Sequence, residues 1–506
     1  MTEFNRVLIA NRGEIALRVI RALKTLGIQS VAVYSDADVA ALHVTEADQA
    51  FPLEGVFGSE TYLNIPKIIE IARKSDSDAI HPGYGFLSEN ALLAKNCEEN
   101  GIKFIGPSSE TLEISGDKFA CKKLAEKNKV PVVPASEEPV ADSQEAAKIA
   151  AEIGFPILLK TAFGGGGRGI KEAKSTEEVK DAFDSSQREA KSAFGRFEAF
   201  IEKKLVKPRH IEIQVIASDD SNEVIHLGER ECSVQRRYQK LIELSPSPVM
   251  DEETRLRVAD YAIRVSKAVN YANAGTIEFL RDSETASYYF LEVNSRLQVE
   301  HPVTEFVTGV DIVGTQIQVA SGNKLPIRQK DVHFLGSAIE CRINAEDPLS
   351  DFAPSSGSIE YLHVPGGPGI RVDTALFEGQ EITPYYDSLL AKLISWGEAF
   401  DQARQRMTVA LDEFKVAGVE TTIPFHKQVM QNSLFCSGKI NTSFIEESNV
   451  VQELLKQETI HSEDSYLVAA FLLSKNQFPQ RQKIVLEPSA QRRLSTTGKG
   501  RFVEPL

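Results

Sequence analysis

The stretch Glu292-Val293-Asn294-Ser295-Arg296-Leu297-Gln298-Val299-Glu300-His301-Pro302 decides how this chain is read. It follows the apolar run Tyr288 to Leu291, so it reads as the end of a buried strand. Successive strand side chains point to opposite faces, which sets Glu292, Asn294 and Arg296 on one side and Val293 on the other. A carboxylate, an amide and a guanidinium in one row are costly at a strand end unless they bind something. Upstream, Gly275 to Leu280 reads as a second strand, with Asp282-Ser283-Glu284 as the turn between them. The hairpin brings Glu278 toward Glu292, and like charges facing across a sheet destabilise it. A divalent cation bridging to phosphate oxygens removes that penalty, since magnesium takes one or two carboxylates plus substrate phosphates. Taken alone, the stretch reads more plainly as a solvated sheet face with an Arg–Glu pair. The rest of the chain reverses that preference.

Working outward, 506 residues exceed one ordinary domain and imply two or three packed units. The 42% hydrophobic and 25% charged content is ordinary for a globular enzyme. A net charge of -15 argues against a nucleic-acid surface, which needs a basic footprint. No apolar run reaches the length of a membrane span, and the N-terminus lacks the long apolar core of a signal peptide. Cys97, Cys121, Cys232, Cys341 and Cys436 are scattered, with no CxxC pair, so neither a disulfide framework nor a zinc cluster is indicated. The expectation is a cytoplasmic protein without nucleic-acid or membrane partners.

From residue 5 to about 115, short apolar runs alternate with helical patterns. Arg6 to Ala10 reads as a strand, Glu14 to Leu26 as a helix, Ser30 to Tyr34 as a strand and Ile65 to Lys74 as a helix. Strands follow at Ala79-Ile80 and Phe104-Ile105. Such alternation predicts an open parallel sheet. Asn11-Arg12-Gly13-Glu14 sits where a Rossmann turn would, but without GxGxxG a dinucleotide site is not expected. A helical connector covers about 109 to 129, and Pro131 and Pro134 mark a boundary. Beyond it, Phe155 to Lys160 and Ile170 to Ala173 read as strands flanking Gly164-Gly165-Gly166-Gly167-Arg168-Gly169. Ser175-Thr176-Glu177-Glu178 reads as a capping box. Long helices are expected near Glu253 to Val269 and Phe400 to Glu413, with a helical stretch and a polar tail after Asn449.

The glycine run leaves backbone N–H groups free to approach an anion. It is no P-loop, because no Gly-Lys-Ser/Thr follows and the next element is a strand. A glycine hairpin at the tip of a small unit suits a lid closing over phosphates, and Lys160 beside it strengthens that reading over a plain flexible loop. Gln235 to Lys240 reads as an alternating strand with Arg236, Tyr238 and Lys240 on one face. With Arg296 these could hold a small anion; alone, the row is more plainly a charged edge strand. His81, His210 and His301 stand near strand ends, where a lone histidine is more often structural than catalytic.

The set Ile9 to Glu14, His81 to Gly85, Gly164 to Gly169, Gln235 to Lys240, Asn294 to Glu305 and Glu340-Cys341-Arg342-Ile343-Asn344-Ala345-Glu346 resembles the biotin carboxylase family of ATP-grasp ligases, in order over roughly the first 445 residues. The glycine loop is shared across ATP-grasp enzymes, whereas the Arg296–Glu300 row and Glu340-Cys341-Arg342 are specific to biotin-dependent carboxylases. The resemblance implies an α/β fold with an N-terminal open parallel sheet (1–115), an ATP-grasp domain (116–322) with a mobile lid (about 131–206), a C-terminal mixed α+β domain (336–445) and an extension (450–506). It implies ATP on Lys118, Lys160, Gly166, Gly167, Glu202, Leu205 and His210, with Glu202 and Leu205 at adenine and the lysines at phosphates. Two magnesium or manganese ions would sit on Glu278, Glu292 and Asn294. Bicarbonate would bind Lys240, Arg296, Gln298, Val299 and Glu300, with Glu300 as base. Biotin would meet Arg342 and Tyr84.

Two departures stand out. Tyr238 replaces a common histidine, which puts any ring hydrogen bond to nucleotide there in question, and Ser295 replaces a common threonine, an exchange expected to be neutral. The family implies carboxyphosphate formation and transfer to biotin, as the first half-reaction of an acyl-CoA carboxylase of the acetyl- or propionyl-CoA type. The alternatives are a component of a two-chain pyruvate carboxylase, another ATP-grasp ligase making an acyl phosphate, or a catalytically idle nucleotide-sensing protein. Retention of Glu278, Glu292, Arg296, Glu300 and Arg342 together argues against the last. Biotinyl domains present lysine as Met-Lys-Met, yet Met1, Met250, Met407 and Met430 are the methionines here and none adjoins a lysine. The segment after Asn449 also lacks the short alternating strands of a biotinyl sandwich. The expected partners are therefore a biotin carboxyl carrier protein and a carboxyltransferase in trans, with the chain itself a homodimer.

Overall fold

In the computed structural model, which describes residues 4–161, 170–194, 197–220 and 223–456, strand and helix alternate at the N-terminus as the sequence does. Strands β1 (Arg6–Ile9), β2 (Gln29–Tyr34), β3 (Gln49–Pro52), β4 (Ala79–His81) and β5 (Lys103–Phe104) form a parallel sheet ordered β3-β2-β1-β4-β5. Val7, Leu8 and Ile9 are fully buried, the signature of a parallel strand covered on both faces. The helix Gly13–Leu26 packs Ile15, Ala16, Val19, Ile20 and Leu23 inward and ends on Gly27 at φ 72°. Strand order reverses beside β1, and at the carboxyl ends of β1 and β4 the Asn11 amide donates to the carbonyls of Pro82 (2.8 Å) and Tyr84 (2.7 Å). Gly83 has φ +63°, and a Cβ there would meet the Asn11 amide nitrogen at 2.9 Å, so the loop presenting Tyr84 needs glycine.

The connector expected as one helix is two, Ser109–Gly116 and Lys118–Lys127, because Asp117 caps the second by accepting from the N–H groups of Phe119 and Ala120. Next come β6 (Ile157–Thr161), β7 (Ile170–Ala173) and β8 (Ala199–Lys203), a small antiparallel sheet ordered β7-β6-β8 and packed by helices Ser143–Ile153 and Thr176–Phe194. Ser175 accepts from the Glu178 N–H (3.3 Å), while the Glu178 carboxylate takes the Lys174 N–H (2.7 Å), one residue outside the expected box. The glycine run, with Gly166 and Gly167, lies outside the described residues, as does the tail from 457 onward.

The largest element is an eight-stranded antiparallel sheet made of β9 (Arg209–Ala217), β10 (Val224–Arg236), β11 (Gln239–Ser245), β12 (Asn273–Arg281), β13 (Tyr288–Asn294), β14 (Ser337–Asn344), β15 (Ile370–Thr374) and β16 (Leu389–Gly397). Its order is β13-β12-β9-β10-β11-β14-β16-β15. Helix Glu252–Ala268 covers the β9–β12–β13 side, and Phe400–Glu413 the β14–β16 side. The β12–β13 connection runs from Asp282 to Ser287, longer than the three-residue turn read from sequence. Strand β13 stops at Asn294, so Arg296 follows the strand instead of continuing its row. No helix among the described residues is long and apolar enough to cross a membrane. The described residues up to Leu454 form one compact unit.

Candidate active site

Sheet register gathers the carboxylates. Glu212 of β9 pairs with Glu278 of β12, and Glu278 pairs with Glu292 of β13, so three glutamates stand in one row across three strands. Directly opposed like charges repel, and a cation answers them. Lys240, entering on β11, places Nζ 2.7 Å from Glu212, 2.9 Å from Glu278 and 2.7 Å from Glu300. Burial alone would lower the Lys240 pKa, but Cys232, Glu212, Glu278 and Glu300 drive it well above its ordinary value. Burial raises the Glu278 carboxyl, yet Lys240 and His210 overcome this and hold it well below its usual range. Glu212 moves up instead, because burial and the charges of Glu300 and Glu278 outweigh Arg230 and Lys240. Arg230 is fully buried, ion-paired with Glu212 and donating to Gln214 (2.7 Å), Thr304 (2.9 Å) and Thr276 (3.0 Å). Glu212, Cys232 and Glu300 bring donor atoms within 4.8 Å of one another, and the cation that Glu212 and Glu300 share is the Lys240 ammonium.

Glu300 stands at the N-cap of helix His301–Thr308, fixed there by the turn that Pro302 starts. It is fully buried, with one oxygen on Lys240 (2.7 Å) and the other on Arg342 Nη2 (2.9 Å). Burial raises its carboxyl, but Lys240, Arg342 and Arg230 hold it well below the usual range, so it is a carboxylate at neutral pH. Arg342, on β14, also donates Nε to Glu243 at 2.7 Å. Arg296 donates to Glu89 (2.9 Å), to the Gln298 side chain (3.1 Å) and to the Leu297 carbonyl (3.2 Å). The Val299 carbonyl accepts from Lys392 at 3.1 Å. Tyr84 donates its hydroxyl to Glu14, and the Lys392 ammonium lies 5.7 Å from its ring centre.

Toward the small sheet, Glu202 pairs with Lys122 (2.9 Å) and with Lys160 of β6, joining two residues that the sequence reading assigned to separate ends of the nucleotide. Leu205 is buried two residues beyond β8. His210 Nε2 lies 2.8 Å from Glu278, and Lys118 pairs with Glu292 at 2.5 Å. Asn294 is buried opposite Thr276, one pair beyond Ile277–Val293. Glu278, Glu292 and Asn294 offer only oxygen donors of the kind magnesium takes, and the two carboxylates are already compensated here by the ammonium groups of Lys240 and Lys118. The residues fit a divalent cation.

The basic row is corrected. Arg237 (φ 48°) and Tyr238 (φ 68°) form a two-residue hairpin turn that pairs Gln235 with Lys240. The chain reverses there, so Arg236, Tyr238 and Lys240 do not share a face. Tyr238 is 80% exposed, and Arg236 turns to Asp351 and the Phe352 ring. Of that row, Lys240 reaches the carboxylates. His81 accepts from the Gly83 N–H (3.0 Å), and burial pushes its pKa down to about 3; burial also drives His301 well down, and its Nδ1 meets the Gln298 carbonyl (2.8 Å). Both are structural. Glu89, Lys122, Glu212, Arg230, Glu243 and Lys392 were not singled out from sequence. For Glu212, Glu243 and Lys392 the available signal was a charge inside an otherwise apolar strand, as in Ile211-Glu212-Ile213 and Ile242-Glu243-Leu244, whereas Lys122 lies on a charged helix and Arg230 between two glutamates. Glu89 sits in a loop and gave none.

Three family models match in succession: the biotin carboxylase N-terminal domain over residues 3–112, the carbamoyl-phosphate synthase L chain ATP-binding domain over 117–328, and the biotin carboxylase C-terminal domain over 340–447. The chain is 51% identical over 444 residues to a pyruvate carboxylase subunit of Methanothermobacter thermautotrophicus, covering 88% of this chain and 90% of that one. It is 49% identical to biotin carboxylase 1 of Bacillus subtilis over 446 residues, 88% of this chain and 99% of that one. The crystal structure of the biotin carboxylase domain dimer of Hydrogenobacter thermophilus 2-oxoglutarate carboxylase, in complex with MgADP, ADP and bicarbonate, matches with a TM-score of 0.83 at 49% identity, covering 89% of this chain and 99% of that one. With this ATP-grasp architecture and these matches, the chain belongs to the biotin carboxylase family.

Proposed function

We propose that this chain is the subunit that carboxylates biotin on a separate carrier protein. The reaction is ATP-dependent biotin carboxylation, with the residue roles that the family resemblance implies. The observation that carries them is Glu300, a buried carboxylate clasped between Lys240 and Arg342. Both partners stabilise its ionised form, and both can hold an anion brought against it. Glu300 takes the bicarbonate proton, with Lys240, Arg296, Gln298 and the Val299 backbone orienting the anion. A bicarbonate oxygen then attacks the γ-phosphate of ATP, giving carboxyphosphate and ADP. Lys118, Lys160, Glu202, Leu205, His210 and the glycine loop with Gly166 and Gly167 form the nucleotide site. Magnesium or manganese on Glu278, Glu292 and Asn294 would neutralise phosphate charge. Carboxyphosphate breaks down to carbon dioxide and phosphate, the phosphate takes the N1 proton of biotin, and Arg342, with Tyr84 nearby, stabilises the enolate that attacks carbon dioxide. The lid at about 131–206 keeps water from the labile intermediate.

The partners are a biotin carboxyl carrier protein and a carboxyltransferase, and the chain pairs as a homodimer in the cytoplasm. The carboxyl acceptor is an acyl-CoA. The likeness to the Methanothermobacter pyruvate carboxylase subunit favours a second reading, in which a 2-oxoacid receives the carboxyl group. The activity is tested by phosphate release from MgATP: release should require bicarbonate and rise on adding free biotin. Release that ignores bicarbonate points to another ATP-grasp ligase.

A further inference from the structure

Glu340 has no role above, yet it lies two residues before Arg342 on β14, so the two side chains share a sheet face. Across the ladder it stands directly opposite Glu243 of β11, and both are fully buried. Opposed side chains of an antiparallel pair sit about 5 Å apart at Cβ, and two carboxylates there repel with little water to screen them. Glu243 commits one oxygen to Arg342; its other oxygen and both oxygens of Glu340 are buried without a hydrogen-bond partner among the described residues. Buried, opposed and unpartnered carboxyls do not both ionise, so a proton stays on the pair.

The titratable and charged groups around the pair include Cys232 on β10 and Cys341, between Glu340 and Arg342. Arg342 lies on β14, Lys240 on β11, Lys392 on β16, Glu300 at the start of helix His301–Thr308, and Tyr84 in the loop after β4. Burial is the largest influence on both carboxyls and raises them. Arg342 and Lys240 oppose this at Glu243, which still moves up to about 7, and Lys392 and Arg342 oppose it at Glu340, which moves well above its ordinary value.

We infer that Glu243 and Glu340 are positioning residues for biotin carboxylation, holding one shared proton so that Arg342 keeps enough free charge to stabilise the biotin enolate. With the proton in place the pair carries one negative charge, and Arg342 divides its field between that charge, Glu300 and the substrate. Loss of the proton adds a second buried carboxylate beside Arg342 and quenches its field where the enolate forms. The inference rests on Arg342 acting on biotin as proposed above.

The test is kcat for carboxylation of free biotin against pH, with saturating MgATP and bicarbonate, for the full chain and for Glu340→Gln. The amide keeps the size of the side chain and fixes the pair at one charge. The alkaline limb of the wild type is expected to move up by about one pH unit or more in the variant, a tenfold rate advantage above the limb. Superimposable limbs overturn the inference. If the variant does not fold, infrared difference spectra of the wild type across a pH step decide. A protonated carboxyl band that disappears along the alkaline limb supports the pair, and no such band, or one titrating elsewhere, overturns it. A wild type that carboxylates no biotin at any pH overturns the activity reading itself and this inference with it.

Discussion

Arg342 donates its hydrogen bonds to Glu300 and Glu243, whereas Lys118 and Lys160 pair with Glu292 and Glu202. This division gives a sharp expectation. Arg342→Ala should cost roughly 3 kcal/mol or more of barrier for biotin carboxylation, the scale of losing a preorganised charge at a developing anion. Nucleotide affinity by calorimetry should hold; affinity falling in step with the rate would contradict the assignment. A second residue reports on stability. His43 is buried, and burial lowers its pKa from 6.5 to about 4, so it is neutral in the folded chain. Between those values the unfolded chain binds the extra proton, and the contribution is lost as pH falls from 6.5 toward 4. His43→Gln should therefore gain on the wild type by up to about 3 kcal/mol across that window in urea unfolding. A pH-independent difference would show that His43 protonates in place. At this scale the sequence singled out Glu292, Asn294 and Arg296 as polar groups rare at a strand end, while Glu300 entered through the family resemblance. Sequence reading passed over Glu212 and Glu243, because a single charge in an apolar strand looks alike whether it faces solvent or a buried lysine.

Among the elements, the parallel N-terminal sheet was legible because each short apolar run is followed by a helical period, and the helix Ile65–Lys74 begins and ends where the sequence places it. The Glu278–Glu292 juxtaposition was legible because the hairpin follows from two strands and one connection. The segment from Gln235 to Lys240 was not. Two-residue turns with positive φ usually announce themselves with Asn-Gly or Asp-Gly, and here Arg237 and Tyr238 occupy both positions. Each non-glycine residue held there costs about 1–2 kcal/mol. The Arg237–Asp351 ion pair at 2.9 Å returns little, since both side chains are more than 70% exposed. Replacing Arg237-Tyr238 by Asn-Gly should then stabilise the protein by about 1 kcal/mol. An unchanged or lowered urea midpoint would mean that the Tyr238 side chain contributes to folding despite its exposure.

For the whole molecule, one antiparallel sheet runs from Glu292 at one edge strand through Lys240 to Arg342 and Lys392, so Glu212, Glu278, Glu292, Lys240, Glu243, Arg342 and Lys392 are set by a single ladder. That continuity was hidden in the sequence, because β11 and β14 meet across about ninety residues and only the register shows Glu243 facing Glu340. The proposed arrangement has biotin on another chain, in keeping with the four methionines here, none of which adjoins a lysine. Intact mass after coexpression with a biotin–protein ligase should show no adduct on this chain, and a covalent biotin on it would contradict the arrangement. The central claim is that bicarbonate attacks ATP. Bicarbonate labelled with oxygen-18 tests it most directly, by mass spectrometry of the products. Attack on the γ-phosphate transfers one bicarbonate oxygen to inorganic phosphate and leaves the other two in the carboxyl group of biotin. Labelled phosphate, formed in step with carboxybiotin, is the expected result. Phosphate free of the label, released while biotin is carboxylated, would contradict it.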